Sequence, residues 1–169
     1  MKRFFVVGCI AMMSFVVVGC AGHGTSPKGK EIPIENASVK LVEDIKASDY
    51  KYQLIRTDEL KKWYDEARSF TIISTLPIEE DEQDGILPGA LNGGLPMTEA
   101  ELTEAYRDNL IKVAGIDKEK TIVVYCGFVA CRRSTLGAKI LVDNGFKNVY
   151  KYPGGIVAWE EKGYPVAKK

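Results

Sequence analysis

Histidine is almost absent from this chain: His23 is the only one in 169 residues. Its position near the start removes every Ser-His or Cys-His catalytic pairing from the rest of the sequence. A surplus of either charge is also absent, with 23 Lys and Arg against 23 Asp and Glu. A nucleic-acid binder ordinarily carries a basic excess, so that class finds no support. Cysteine is sparse, at Cys9, Cys20, Cys126 and Cys131. Cys126 and Cys131 with no histidine nearby fall well short of four zinc ligands, and neither a metal nor a prosthetic group is expected. No apolar run reaches the ~20 residues of a comfortable membrane-spanning helix, which excludes a polytopic membrane protein. What is present, 46% hydrophobic and 27% charged residues, is ordinary globular usage at a length suited to one core.

The first residues stand apart from that core. Lys2 and Arg3 precede an uncharged apolar stretch, Phe4 to Val18. A charged start followed by a short apolar run is the pattern of an export signal. The stretch ends Val17-Val18-Gly19-Cys20. This resembles the lipobox of bacterial lipoprotein precursors, which implies cleavage before Cys20 and a lipid on its thiol. An uncleaved anchor or an ordinary signal peptide is the plainer alternative. Ala21 after the cysteine favours the outer membrane, facing the periplasm, if the bacterium is Gram-negative. Residues 1–19 are thus expected to be a signal peptide and 20–38 a lipidated tether rich in Gly, Pro, Ser and Lys. His23 falls in the tether and receives no role.

Residues 39–169 read as one α/β domain. Val39–Val42 and Gln53–Ile55 are short strand candidates. Thr57 is placed to cap a helix with Leu60, Trp63, Tyr64 and Ala67 on one face. Phe70–Thr75 is a β-branched run suited to a buried strand. Residues 76–97, with their Pro, Gly and the acidic cluster Glu79–Glu82, read as loop. Thr98 and Glu101 form a capping box for a second helix, with Leu102, Tyr106, Leu110 and Val113 sharing a face. Thr121–Tyr125 is the strongest strand signal. A helix from about Arg133 to Asn144 follows, stopped by Gly145. Asn148–Tyr152 is a strand, and Pro153-Gly154-Gly155 turns into a last helix around Val157–Lys162. Alternation of strands and helices predicts a mostly parallel sheet covered on both faces.

The chemistry is concentrated after the strongest strand, in Tyr125-Cys126-Gly127-Phe128-Val129-Ala130-Cys131-Arg132-Arg133-Ser134. A cysteine at the C-terminal end of a parallel strand, just ahead of a helix, sits where such folds bind ligands. Unpaired amides and the helix dipole favour a thiolate there, and Arg132 and Arg133 add to it. The expectation is a lowered Cys126 pKa and a reactive sulfur. The same amides can cradle an anion on that sulfur, such as persulfide, thiosulfate or phosphate.

Residues 50–166 resemble the rhodanese homology domain. Leu87-Pro88-Gly89-Ala90-Leu91-Asn92 is similar to that family's Ile-Pro-Gly-Ala-x-Asn stretch. Val124-Tyr125-Cys126 with Arg133-Ser134 is similar to its active-site loop. Gly145-Phe146-Lys147-Asn148-Val149-Tyr150 and Gly154-Gly155-Ile156-Val157-Ala158-Trp159 resemble its last strand and its closing Gly-Gly-x-x-x-Trp. The resemblance implies a rhodanese-like α/β fold with a five-stranded sheet and helices on both faces. It implies a persulfide on Cys126 and transfer of sulfane sulfur from a small sulfur anion to a thiol or cyanide-like acceptor. The anion would lie in the loop from Gly127 through Phe128, Val129, Ala130, Cys131, Arg132 and Arg133 to Ser134.

Three departures bear on that reading. Many members carry an Asp and an Arg where this chain has Ser74-Thr75-Leu76. A common His is replaced by Ile86. Arg132 and Arg133 stand six and seven positions after Cys126, where the commonest pattern has five. Cys-x5-Arg also resembles cysteine phosphatases built on this fold, and a wider loop would accept phosphate or arsenate. That chemistry wants a nearby carboxylic acid, for which Asp81, Glu82 and Asp84 are the sources in sequence. A third reading is a non-catalytic or redox-sensing module that binds a partner of unknown identity.

Cys131 shares the loop with Cys126. It is placed either to resolve a Cys126 persulfide or sulfenate as a disulfide, or to serve only as a small apolar loop residue. Trp63, Trp159, Tyr150 and Tyr152 read as core or pocket-wall aromatics. Phe128 either shields the thiolate or meets substrate. Gly127 is expected to serve the backbone conformation, Ser134 to cap its helix, and Glu79–Glu82 to be a solvated face.

Overall fold

A computed structural model describes residues 52–168. The signal segment, the tether with His23, the lipidation candidate Cys20 and the strand candidate Val39–Val42 lie outside the described residues. The described chain is α/β, with strands β1 (Gln53–Leu54), β2 (Thr71–Ser74), β3 (Leu91–Asn92), β4 (Thr121–Tyr125) and β5 (Asn148–Tyr152). The helices are α1 (Thr57–Asp65), α2 (Ile78–Asp84), α3 (Glu104–Ala114), α4 (Arg133–Asp143) and α5 (Gly155–Glu161). The five strands form one sheet in the order β1-β5-β4-β2-β3, every pair parallel.

Side chains alternate across this sheet with the two-residue period of a strand. Ile72, Val123, Tyr125 and Tyr152 pack on one face with Leu60 and Trp63 of α1 and Ile156 and Trp159 of α5. Ile73, Ile122, Val124 and Val149 pack on the other face with Leu110 and Ala114 of α3 and with Leu136, Ala138, Ile140 and Leu141 of α4. Both faces are therefore covered, which is why β4 reads as an unbroken apolar run. Trp63, Trp159 and Tyr152 are buried, and the Trp159 indole donates to the Pro165 carbonyl at 2.8 Å.

Several local expectations change. Residues 76–97 are not all loop, since α2 and β3 lie within them. The one buried residue of α2 is Asp81, so the helix has no apolar stripe to betray it. Asp81 accepts hydrogen bonds from Ser74 Oγ at 2.7 Å and Asn92 Nδ2 at 2.6 Å, so the acidic cluster is not wholly a solvated face. Thr57 does not cap α1. It is the first helical residue, and its hydroxyl meets the Tyr152 hydroxyl at 2.9 Å. Ala67 lies beyond α1, exposed, with a left-handed φ of 48°. The Thr98–Glu101 capping box forms, but on a short 3-10 turn, Glu99–Glu101, ahead of α3. Tyr106 is exposed instead of packed with Leu110.

Candidate active site

Cys126 follows β4, the middle strand, at the end from which the chain turns into α4. Strand order reverses on either side of β4, the place where open α/β sheets hold ligands. The backbone there is fixed from two directions. Thr75 donates to the Tyr125 carbonyl through its amide at 2.9 Å and its hydroxyl at 2.8 Å. The first amides of α5, on Ile156 and Val157, donate to the carbonyls of Cys126 and Gly127 at 3.0 and 3.1 Å. Gly155 makes this approach possible. Its φ is +66°, and a β-carbon there would stand 2.3 Å from the Cys126 carbonyl oxygen. Gly127, by contrast, needs no left-handed backbone, and a β-carbon on it would meet only Leu76 at 3.8 Å. The conformational role expected of Gly127 belongs to Gly155.

Cys126 is fully buried. Its Sγ lies 3.3 Å from Ser134 Oγ, 3.5 Å from the Cys131 carbonyl and 3.8 Å from the Phe128 carbonyl. Ser134 is thus a partner of the thiol, not a helix cap. The loop turns back on itself through the Cys131 amide, which donates to the Phe128 carbonyl at 3.0 Å. Carbonyl oxygens facing a sulfur hold a proton on it.

The expected lowering of Cys126 is reversed. Burial pushes the Cys126 thiol up, and its hydrogen bond and charge repulsion with Cys131 push the same way against the help of Ser134. Cys131 is the lowered group, at about 6. The Cys126 thiol donates to it first of all, and the amides of Arg133 and Gly127 and the Arg133 charge favour its anion against the cost of burial. The balance between the two thiols thus favours the proton on Cys126 and the anion on Cys131. The amide cradle of the loop is formed, but Gly127 and Arg133 address Cys131 and Ser134 addresses Cys126.

The remaining loop residues divide by exposure. Phe128, Ala130 and Arg132 are exposed, while Gly127, Val129 and Arg133 are half-buried. Arg133 is anchored outside the thiol pair: its Nε donates to the Leu95 carbonyl at 3.0 Å and its guanidinium pairs with Glu80 at 3.5 Å, while its charge still favours the Cys131 anion. Arg132 stands at the rim, at the position that begins α4. Asp81 is committed to Ser74 and Asn92, and Glu82 and Asp84 are exposed on α2. A groove of about 690 Å³ opens beside Arg133, lined by Ile78, Leu95, Met97 and Tyr106 among others.

Lys151 was not singled out from the sequence. It pairs with Val124 in the β4–β5 register and is buried at 5% exposure. Its ammonium donates to Thr135 Oγ1 at 2.7 Å, one residue on from Ser134. Burial lowers its pKa, and the charges of Cys126 and Cys131 raise it. A lysine within a strand of alternating burial is the signal that could have found it, since a cation there requires a partner.

The rhodanese-like domain family model matches residues 56–162. The chain belongs to that family. A putative mitochondrial thiosulfate sulfurtransferase of Schizosaccharomyces pombe is 32% identical over 95 residues, covering 53% of this chain and 66% of that protein. A tRNA uridine(34) hydroxylase of Photorhabdus laumondii is 36% identical over 72 residues, covering 38% of this chain and 20% of that protein. The chain thus spans less than two thirds of the length of these curated relatives. Among solved structures, the polysulfide-sulfur transferase homodimer of Wolinella succinogenes superposes with a TM-score of 0.56 at 24% identity, over 80% of this chain and 92% of that one. The BH2092 protein of Bacillus halodurans gives 0.55 at 19% identity, over 76% and 85%. Both share the rhodanese-like fold expected from the sequence.

Proposed function

We propose that this rhodanese-like protein is a sulfurtransferase that carries sulfane sulfur as a persulfide on Cys126. The reading is carried by one observation: Cys126 directly follows the middle strand and opens the loop into α4, with its Sγ 3.3 Å from the Ser134 hydroxyl. The α4 N-terminus and the Ser134 amide favour an anion at that sulfur. A small sulfur anion, thiosulfate or polysulfide, is the donor and a thiol or cyanide-like nucleophile the acceptor. Arg132 at the rim attracts the donor. The similarity to the putative thiosulfate sulfurtransferase of Schizosaccharomyces pombe supports this chemistry. The protein is exported, cleaved before Cys20 and held to the membrane by lipid on that thiol, with residues 20–38 as tether and 39–169 as the domain.

The burial of Cys126 and the proton held on it favour a second reading, a redox-sensing module that binds a partner without turnover. One experiment separates them. The reduced full chain is mixed with excess thiosulfate in a single turnover and the sulfite released is counted. The transferase yields about one sulfite per chain, and Cys126→Ser yields none. No sulfite from the wild type, or equal sulfite from Cys126→Ser, overturns the proposal.

A further inference from the structure

The loop holds two thiols where the transfer reaction needs one. Both are free, both are buried, and both belong to the same apolar cluster. Cys126 Sγ lies against the backbone of Cys131, donating to its carbonyl at 3.5 Å, and the two residues pack in one cluster. A persulfide on Cys126 would have in Cys131 an acceptor within its own loop. The backbone amides of Gly127 and Arg133 are spent on Cys131, the sulfur that on the transfer reading alone has no task.

We propose that Cys131 displaces the sulfane sulfur from Cys126 as hydrosulfide, leaving a Cys126–Cys131 disulfide, so that the loop is a sulfur-reducing centre. This rests on the persulfide reading of Cys126. The steps balance as follows. As Cys126 attacks the outer sulfur of thiosulfate, its proton passes to the Cys131 thiolate. The sulfur–sulfur bond of the donor breaks and sulfite leaves. The proton then returns from Cys131 to the terminal persulfide sulfur. The Cys131 thiolate attacks Cys126 Sγ, the persulfide bond breaks, and hydrosulfide departs with the electron pair. The sulfane sulfur gains two electrons and each protein sulfur loses one. An external dithiol, reaching the loop beside exposed Ala130 and Arg132, reduces the disulfide and resets the centre.

Three groups make Cys131 the attacking sulfur. The Gly127 and Arg133 amides hold it as the thiolate. The Arg133 guanidinium, anchored on Leu95 and Glu80, adds its charge. Lys151, buried and bonded to Thr135 in the first turn of α4, adds a second positive charge that acts on both sulfurs. A thiolate with a pKa just below ambient pH is close to the best attacking thiol, since lower values lose nucleophilicity.

The test uses the full chain with Cys9→Ser and Cys20→Ser, so that only the loop thiols remain. Reduced protein is mixed with thiosulfate without added thiol and quenched in acid. Sulfite, sulfide and intact mass are measured, with glutathione persulfide as donor in a parallel arm. The wild-type loop releases about one sulfide per chain and ends about 2 Da lighter. Cys131→Ser and Cys131→Ala release no sulfide and remain about 32 Da heavier, with a cyanide-labile sulfur. If the wild-type loop also keeps the added sulfur and releases no sulfide, the inference falls and the persulfide reading stands. If the folded wild-type loop releases neither sulfite nor sulfide and gains no sulfur from either donor, the persulfide reading falls and takes the inference with it.

Discussion

The α-carbon of Gly155 is held against the carbonyl of Cys126, so closely that a β-carbon would stand 2.3 Å from that oxygen and 2.5 Å from the Gly127 oxygen. The start of α5 thereby becomes a clamp on the first peptides of the loop, through the Ile156 and Val157 amides. Gly155→Ala must either adopt a left-handed backbone with a side chain or open the clamp. The expected cost is at least ~2 kcal/mol, read as a lower denaturant midpoint at unchanged slope, together with slower sulfite release. An unchanged midpoint would contradict the clamp.

Lys151 is expected to set the pH at which the loop becomes reactive. The groups facing the thiol pair are the Lys151 ammonium, the Arg133 charge, the Ser134 hydroxyl and amide, and the Gly127 and Arg133 amides. Removing one buried cation disfavours the shared negative charge, so Lys151→Met should move the alkylation profile of the loop upward from its midpoint near 6. Lys151→Arg, which keeps the charge, should restore part of the shift. A profile unmoved in a folded Lys151→Met protein would show that the lysine acts only in packing.

Stability should follow the thiol pair in a defined direction. The Cys131 pKa falls from its ordinary value near 9 to about 6 on folding, so between these limits the unfolded chain binds the extra proton. Stability contributed by Cys131 is therefore fully present above the unfolded value and lost as pH falls toward 6. Cys126, raised on folding, acts oppositely above the unfolded value. The reduced protein should gain stability from pH 6 toward pH 8.5, and Cys131→Ser should gain less. Denaturant midpoints under a reductant measure the difference.

Asp81 is expected to matter for the fold and not for the chemistry. Its carboxylate ties the end of β2 through Ser74 to β3 through Asn92. Asp81→Ala leaves these donors without their acceptor and should cost about 2–3 kcal/mol. The folded variant should release sulfite at the wild-type rate. A folded Asp81→Ala protein that has lost sulfite release would place the carboxylate in catalysis, as the phosphatase alternative requires.

Much of the fold was legible because its elements are amphipathic or uniformly apolar. β4 and β5 stand within the ranges read from their β-branched and aromatic runs, and α4 ends at Asp143, two residues ahead of Gly145 where φ is +84°. Helix α2 was illegible because its buried side is a carboxylate, which hydrophobic periodicity does not register. Thr57 was misread because a hydroxyl before a helix signals a cap, whereas here its partner, Tyr152, is 95 residues away. In the loop, residue identity and spacing named both thiols and both arginines. The direction of the peptides was not encoded at that level: whether carbonyls or amides face Cys126 depends on the Phe128–Cys131 turn and on α5, far along the chain. Burial of Cys126 first of all raises its thiol, while the Cys126 hydrogen bond and the Arg133 and Gly127 amides lower Cys131.

The most direct measurement is intact mass of the Cys131→Ser protein after thiosulfate, beside the same protein carrying Cys126→Ser, both with Cys9 and Cys20 replaced by serine. The account predicts a single added sulfur, about 32 Da, on the first protein alone, lost on cyanide treatment with formation of thiocyanate. The same adduct on both proteins, or on neither while both are folded, would contradict a persulfide on Cys126.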